Sequence, residues 1–349
     1  MMMVERLQTG NFVGGFRLDE ELALSSTAAW WRVSCAADKQ ALLMKIPRTD
    51  GRARLINFAT FEVEQMILSR LSGPDVPRLV AAGTWERPFL VLELISGNSL
   101  CEQLSKVPLS ADRVVSLGSK LALALHNVHR QHVVHLDIKP SNVMLDKNGT
   151  VKIIDFGFSR HLHLPDVFQD EPVAPRNYLA PEQLLGRRDD PRSDIFSLGA
   201  MLYFFLTGRQ PFDAQSAARK WRNMLRRNRI RAELRRILDL SSRFLEFKER
   251  VTGLAYRADQ HTGATPASRE SDNPIIAHLA DLYCEPIPPR SLTSDCPAWL
   301  QEIILRSLEV DPNERHATAA HLANDLTHPQ GVHITSRGER LSCSRHVLR

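Results

Sequence analysis

His135-Leu-Asp-Ile-Lys-Pro-Ser-Asn-Val-Met-Leu-Asp146 is the stretch around which the rest of the chain becomes legible. Asp137 and Asn142 bracket Lys139 and Pro140 in what reads as a tight polar loop. The apolar run from Val133 leads in, and a β-like run, Val143 to Leu145, leads out. Further on, Asp155 stands directly after the strand-like run Val151 to Ile154. These side chains suit phosphoryl transfer. Asp137 can accept a hydroxyl proton, and Lys139 can neutralise charge on a moving phosphoryl group. Asn142 and Asp155 are hard oxygen ligands of the kind Mg²⁺ prefers.

Three motifs occur in order: H-x-D-x-K-x-x-N from His135 to Asn142, D-F-G from Asp155 to Gly157, and A-P-E from Ala180 to Glu182. Together they resemble the signature set of the protein kinase family. The resemblance covers about residues 16–326. It implies an α+β, two-lobed fold: a small β-rich lobe over 16–95 and a larger α-helical lobe over 96–326, with ATP and Mg²⁺ in the cleft between them. Residues 1–15 read as a loose leader, and 327–349 as a polar, basic, disordered tail. Lys139 followed by Pro140-Ser141 resembles the serine/threonine-directed form of the loop. The implied activity is that of an ATP-dependent serine/threonine protein kinase acting on a protein substrate, with Asp137 and Lys139 catalytic and Asn142 and Asp155 holding Mg²⁺. The alternative is a pseudokinase scaffold that binds partners without efficient turnover.

The resemblance also implies a nucleotide site. Lys45, ending the strand-like LLMK, matches the lysine that pairs with the phosphates. Glu64, on a helix whose apolar residues Phe61, Ile67, Leu68 and Leu71 recur at helical spacing, matches the glutamate that braces it; Glu62 competes. Glu93 and Ile95 fall where backbone groups meet adenine, and Met144 is counted among the nucleotide contacts. Ala23, Ser25 and Ala28 stand where the family carries three glycines. Glycine serves there because backbone amides must approach phosphate closely. Leu43 and Trp30 stand where smaller residues are usual above adenine.

Other departures concern control. Leu136 replaces the arginine that holds a phosphorylated activation-loop residue. From Asp155 to Glu182 the only aliphatic hydroxyl is Ser159. Both point to a kinase not switched by phosphorylation of this segment. Pro175 replaces a threonine that usually bonds to the catalytic pair. Asp194 is expected to tether the catalytic loop backbone, and Arg315 to pair with Glu182. His126, His129, His132 and His135 recur every third residue, which invites a metal; packing and hydrogen bonding explain them better.

Composition bounds the rest. The chain has 349 residues and a formal charge of +5, which permits an acidic partner without demanding nucleic acid. Five scattered cysteines without paired spacing fit a reducing cytosol. The start turns polar at once, and the apolar run from Ile195 to Leu206 is too short to span a bilayer, so a cytoplasmic protein is expected. An insert over about 214–285 is basic: Arg219 to Arg250 holds twelve Lys/Arg against four Asp/Glu. It reads as amphipathic helices, either a solvated face or a dock for an acidic partner.

Overall fold

The computed structural model describes residues 7–35, 38–48, 54–105, 107–168, 177–212, 286–335 and 337–338. Pro175, the basic insert and the last residues of the tail lie outside them. The chain divides into two compact units, one of residues 1–98 with 144–159, the other of 99–143 with 160–349. The first is β-rich and the second helical, the α+β division the sequence implies.

In the first unit, β1 (Phe12–Val13), β2 (Phe16–Leu24), β3 (Ala28–Cys35), β4 (Asp38–Pro47), β5 (Leu79–Thr84) and β6 (Arg87–Glu93) form one antiparallel sheet in the order β1-β2-β3-β4-β6-β5. Side chains alternate across a strand. Leu18, Trp31, Val33, Leu42, Met44, Phe89 and Val91 therefore gather in one buried cluster. Lys45, next to Met44, is turned to the opposite face. Helix α1 (Arg54–Leu68) buries Phe61, Val63, Glu64, Met66, Ile67 and Leu68. A smaller sheet joins β7 (Gly97–Ser99), β9 (Val143–Asp146) and β10 (Val151–Ile153), with β9 in the middle.

The residues read as a leader are corrected by this unit. Val13 and Leu7 pack on the core cluster, and Gly10 N and Leu18 N donate hydrogen bonds to Leu18 O and Asn11 O, each at 2.8 Å. Within the described residues 7–15, Phe12–Val13 pair as a strand and Leu7 and Val13 pack on the core, so this part of the stretch is tied to the sheet.

In the second unit, α2 (Leu100–Gln103) precedes α3 (Ala111–His129), which buries Val114, Leu117, Leu121, Leu125 and Val128 on one stripe. Strand β8 (Val133–Val134) pairs with β11 (Arg160–His161) just before the catalytic loop. Helix α4 (Arg192–Thr207) is buried almost all round. Gly199 permits this, because a Cβ there would come within 2.5 Å of the Ser307 side chain. Gly208, at φ 69°, ends the helix in the left-handed conformation that glycine adopts most readily. Helices α5 (Ala298–Ser307) and α6 (Ala319–Thr327) complete the described core. Among the described residues no helix is long and apolar enough to cross a membrane.

The start of the tail is also corrected. Glu302 on α5 is buried, and a buried carboxylate needs a partner. Arg337 supplies it, with Nη1 2.6 Å from Glu302 Oε1 and Nε 2.7 Å from Glu309 Oε1.

Candidate active site

The first unit presents one cluster. Lys45 Nζ donates to Glu64 Oε2 at 2.5 Å and to Asp155 Oδ1 at 3.2 Å. Glu64, rather than Glu62, meets the lysine because its side chain lies on the buried stripe of α1, where it is 1% exposed. Burial by itself pulls the Lys45 pKa down. The Glu64 and Asp155 carboxylates outweigh it and hold the ammonium above the ordinary lysine value. Burial likewise pushes Glu64 up against the pull of Lys45. Trp30 sits opposite Lys45 in the β3–β4 register, with Nζ 4.8 Å from the centre of its ring. A bulky residue there acts as a cation–π partner for the lysine. Leu43 is half-buried and paired with Leu92 across the sheet. Asp155 adopts φ 63°, an uncommon state for a residue other than glycine. Its side chain remains 41% exposed.

The β2–β3 turn takes an unanticipated form. Ser25 Oγ accepts from Thr27 N at 3.2 Å and Ala28 N at 3.0 Å, and it donates to Ala28 O at 3.0 Å. Ser25 N donates to Ala28 O at 2.9 Å. The turn is also tied down from α1, where the Asn57 amide donates to Ser26 O at 3.1 Å. Ala23 is exposed at the end of β2, and Ala28 is fully buried at the start of β3. Glu93, at the end of β6, is ion-paired with Lys152, while Ile95 and Met144 are half-buried.

The second unit presents the other cluster. Asp137 Oδ2 receives Lys139 Nζ at 2.6 Å and the Asn142 amide at 3.0 Å. The same amide donates to Asp137 O at 2.9 Å. Oδ1 of Asp137 carries no hydrogen bond among the described residues. Asn142 is buried, and among the described residues its Oδ1 accepts only a long bond of 3.3 Å from Ser141.

The catalytic loop is held from outside. Asp194 accepts from His135 N and Leu136 N, both at 2.8 Å, and its Oδ2 lies 2.9 Å from His129 Nε2. Burial alone would raise the Asp194 pKa, but the His129 bond and the neighbouring histidines and amides bring it below the ordinary carboxylate value. Leu136 has φ 64° and a buried side chain, with its carbonyl accepting from Gln183 Nε2 at 2.9 Å. Gln183 in turn takes Ala180 N on its Oε1 at 2.9 Å. No motif pointed to Gln183, although it follows A-P-E directly; its amide has a donor and an acceptor for two separate segments. Glu182 and Arg315 form a two-pronged pair at 2.6 and 2.8 Å. In the activation segment, Asp166 accepts from Arg188 Nε at 2.7 Å, with both side chains almost fully buried.

Two of the four histidines are accounted for by ordinary bonding. His129 meets Asp194, and His135 Nδ1 accepts from Asp137 N at 3.3 Å. Among the described residues no three His, Cys, Asp or Glu side chains converge on a metal-sized site. Mg²⁺ does not require such a cage, since it takes one or two protein oxygens together with phosphates and water. The amide oxygen of Asn142 and the exposed carboxylate of Asp155 are donors of that kind.

The Protein kinase domain family profile matches residues 32–327. Serine/threonine-protein kinase Pkn1 of Myxococcus xanthus is 30% identical over 254 residues, covering 71% of this chain and 28% of that protein. Serine/threonine-protein kinase PknB of Mycolicibacterium smegmatis is 25% identical, covering 81% of this chain and 38% of its own length. The chain thus spans about a third of the length of these curated relatives. The crystal structure of the Mycobacterium tuberculosis PknI kinase domain aligns with a TM-score of 0.58 at 16% identity, covering 92% of this chain and 98% of that one. At that identity the likeness is one of fold.

Proposed function

The chain belongs to the protein kinase domain family, and from that premise we propose that it transfers the γ-phosphoryl group of ATP to serine or threonine hydroxyls of a protein substrate. The carrying observation is Asp137. One of its carboxylate oxygens is fixed by Lys139 and Asn142, and the other accepts no hydrogen bond among the described residues. A bare, oriented carboxylate oxygen is the group needed to accept a hydroxyl proton as the oxygen attacks. Lys139 supplies positive charge beside it. Lys45, kept protonated and braced by Glu64, is the phosphate-positioning cation. Asn142 and Asp155 are each assigned as oxygen ligands of Mg²⁺, which supplies charge neutralisation on the phosphates when bound. Glu93, Ile95 and Met144 are assigned to the adenine side, and Ala23, Ser25 and Ala28 to the phosphate side.

The activity is assigned as independent of phosphorylation in the activation segment. Leu136 buries its side chain rather than offering a cation, and Asp166 already provides the segment with a carboxylate paired to Arg188. A cytoplasmic setting accords with the free thiols Cys35, Cys101 and Cys296. An acidic partner is assigned to the basic stretch 214–285, and salt-sensitive binding lost on its deletion tests that.

A second reading, a scaffold with little turnover, is favoured by one observation: the amides of Thr27 and Ala28 are turned onto Ser25 rather than outward. Phosphate incorporation from labelled ATP with Mg²⁺ separates the two. Incorporation into a generic protein substrate that disappears in Asp137→Asn supports the kinase. No incorporation by a folded wild type supports the scaffold.

A further inference from the structure

Beside the catalytic loop, within the second unit, is an open cavity of about 270 Å³. Leu104, Pro140, Tyr178, Phe204 and Phe205 form most of its wall. Lys139 belongs to both the cavity and the catalytic cluster, since its Nζ is 2.6 Å from Asp137 Oδ2. No carboxylate lines the cavity among the described residues. Tyr178, another polar residue of the wall, has its hydroxyl engaged by the Gln210 amide at 3.0 Å, and burial pushes the phenol pKa up, so it stays neutral.

An extended polypeptide advances about 3.3–3.6 Å per residue. A substrate that delivers its hydroxyl to Asp137 therefore passes a cavity walled by Lys139 and Pro140 within a few residues of the acceptor. The volume is below the roughly 300–1,000 Å³ of sites that enclose whole small-molecule ligands, and it suits a single side chain. An arginine or glutamate entering it would leave water without gaining a counter-charge, because the one charged wall residue is already paired with Asp137. An apolar side chain loses nothing and gains burial.

We infer that this cavity is a specificity pocket for an apolar substrate side chain (leucine, isoleucine, methionine or phenylalanine) flanking the acceptor serine or threonine, with Phe204 setting the preference. The inference rests on the phosphotransferase reading above. Phe204 is half-buried, its ring centre 6.1 Å from that of Phe205, so it presents one side to the cavity from the rigid helix α4.

The test uses the full chain with Mg²⁺ and ATP on peptides carrying one serine. Leucine, arginine, glutamate or alanine is placed in turn at each of about four positions on either side, a span set by the reach of an extended chain. At one position leucine raises kcat/KM by roughly tenfold over arginine, mainly through KM, as expected for a pocket that discriminates by apolar burial. In Phe204→Glu the order at that position shifts toward arginine. Cys101→Glu, at an exposed lining residue where folding is not at risk, shifts it the same way, and melting temperatures of both variants are read alongside. Phosphorylation with no apolar preference at any position, or a preference that neither variant moves, overturns the pocket and leaves the kinase reading standing. Absence of incorporation above the Asp137→Asn control overturns both.

Discussion

At the β2–β3 turn, the amides of Thr27 and Ala28 point inward onto Ser25 Oγ, at 3.2 and 3.0 Å. In the catalytic loop, the amides of His135 and Leu136 point onto Asp194, a residue 59 and 58 positions away. Both segments lack residues that the family pattern leads one to look for, and both are ordered. The turn is closed mainly by a member of itself, which turns the amides of Thr27 and Ala28 inward. The loop is gripped by a partner outside it, and Asp137 Oδ1 accepts no hydrogen bond among the described residues. A segment that must present polar groups to a substrate is therefore best held from a distance, and the missing glycines matter more than the missing arginine.

The comparison breaks most visibly at Asp194. Asp194→Ala leaves two buried amides without an acceptor and His129 without its partner, a loss of roughly 3–5 kcal/mol by analogy with broken buried pairs. Urea unfolding should show it, and phosphate incorporation should fall with it. A variant as stable as wild type would mean the loop holds itself.

The same residue sets an acid limb. Because its folded pKa is depressed, its contribution to stability is present above the unfolded carboxylate value, near pH 4, and is lost as pH falls through the folded value. Melting temperature should decline steeply below about pH 4 in the wild type, and less so in Asp194→Asn.

Leu136→Arg asks whether the arginine was merely omitted. The side chain is 3% exposed, so a guanidinium there loses hydration without a ready partner. Destabilisation of about 2–4 kcal/mol is expected. Unchanged stability, with activity that becomes dependent on phosphorylation of Ser159, would show instead that the loop still accommodates a phosphate-binding cation.

The smallest effect is at the turn. Ser25→Gly removes the hydroxyl that closes it, at a cost of about 1 kcal/mol, and frees the amides of Thr27 and Ala28. The KM for ATP should fall by a few-fold, while Ser25→Ala loses similar stability. An ATP KM that rises in Ser25→Gly would mean that the closed turn is the binding-competent form.

Much of the candidate site was legible because its residues sit in short contiguous runs. Asp137, Lys139 and Asn142 lie within one loop, and Lys45 lies near the end of a strand whose alternation assigns it a face. The form of the turn at Ser25 was not legible, since a serine between two strands is equally consistent with solvent exposure. The contact of Trp30 with Lys45 was not legible either, because only the β3–β4 register places its ring beneath the ammonium. Residues 7–15 of the expected leader and the start of the tail were misread for a related reason. Short polar stretches look unstructured until a distant apolar cluster or a buried Glu302 gives them something to bind.

By itself, then, the sequence determined the α+β character and the order of the motifs on which the proposed site rests, because those depend on local spacing and on side-chain periodicity. The family resemblance already paired Asp194 with the loop and Arg315 with Glu182; the remaining restraints were decided only by the tertiary structure. Gln183 reaches Leu136 across 47 positions and Arg337 reaches Glu302 across 35. Hydrogen bonds and ion pairs are satisfied by whichever groups folding brings within about 3 Å, and separation along the chain carries no record of that distance.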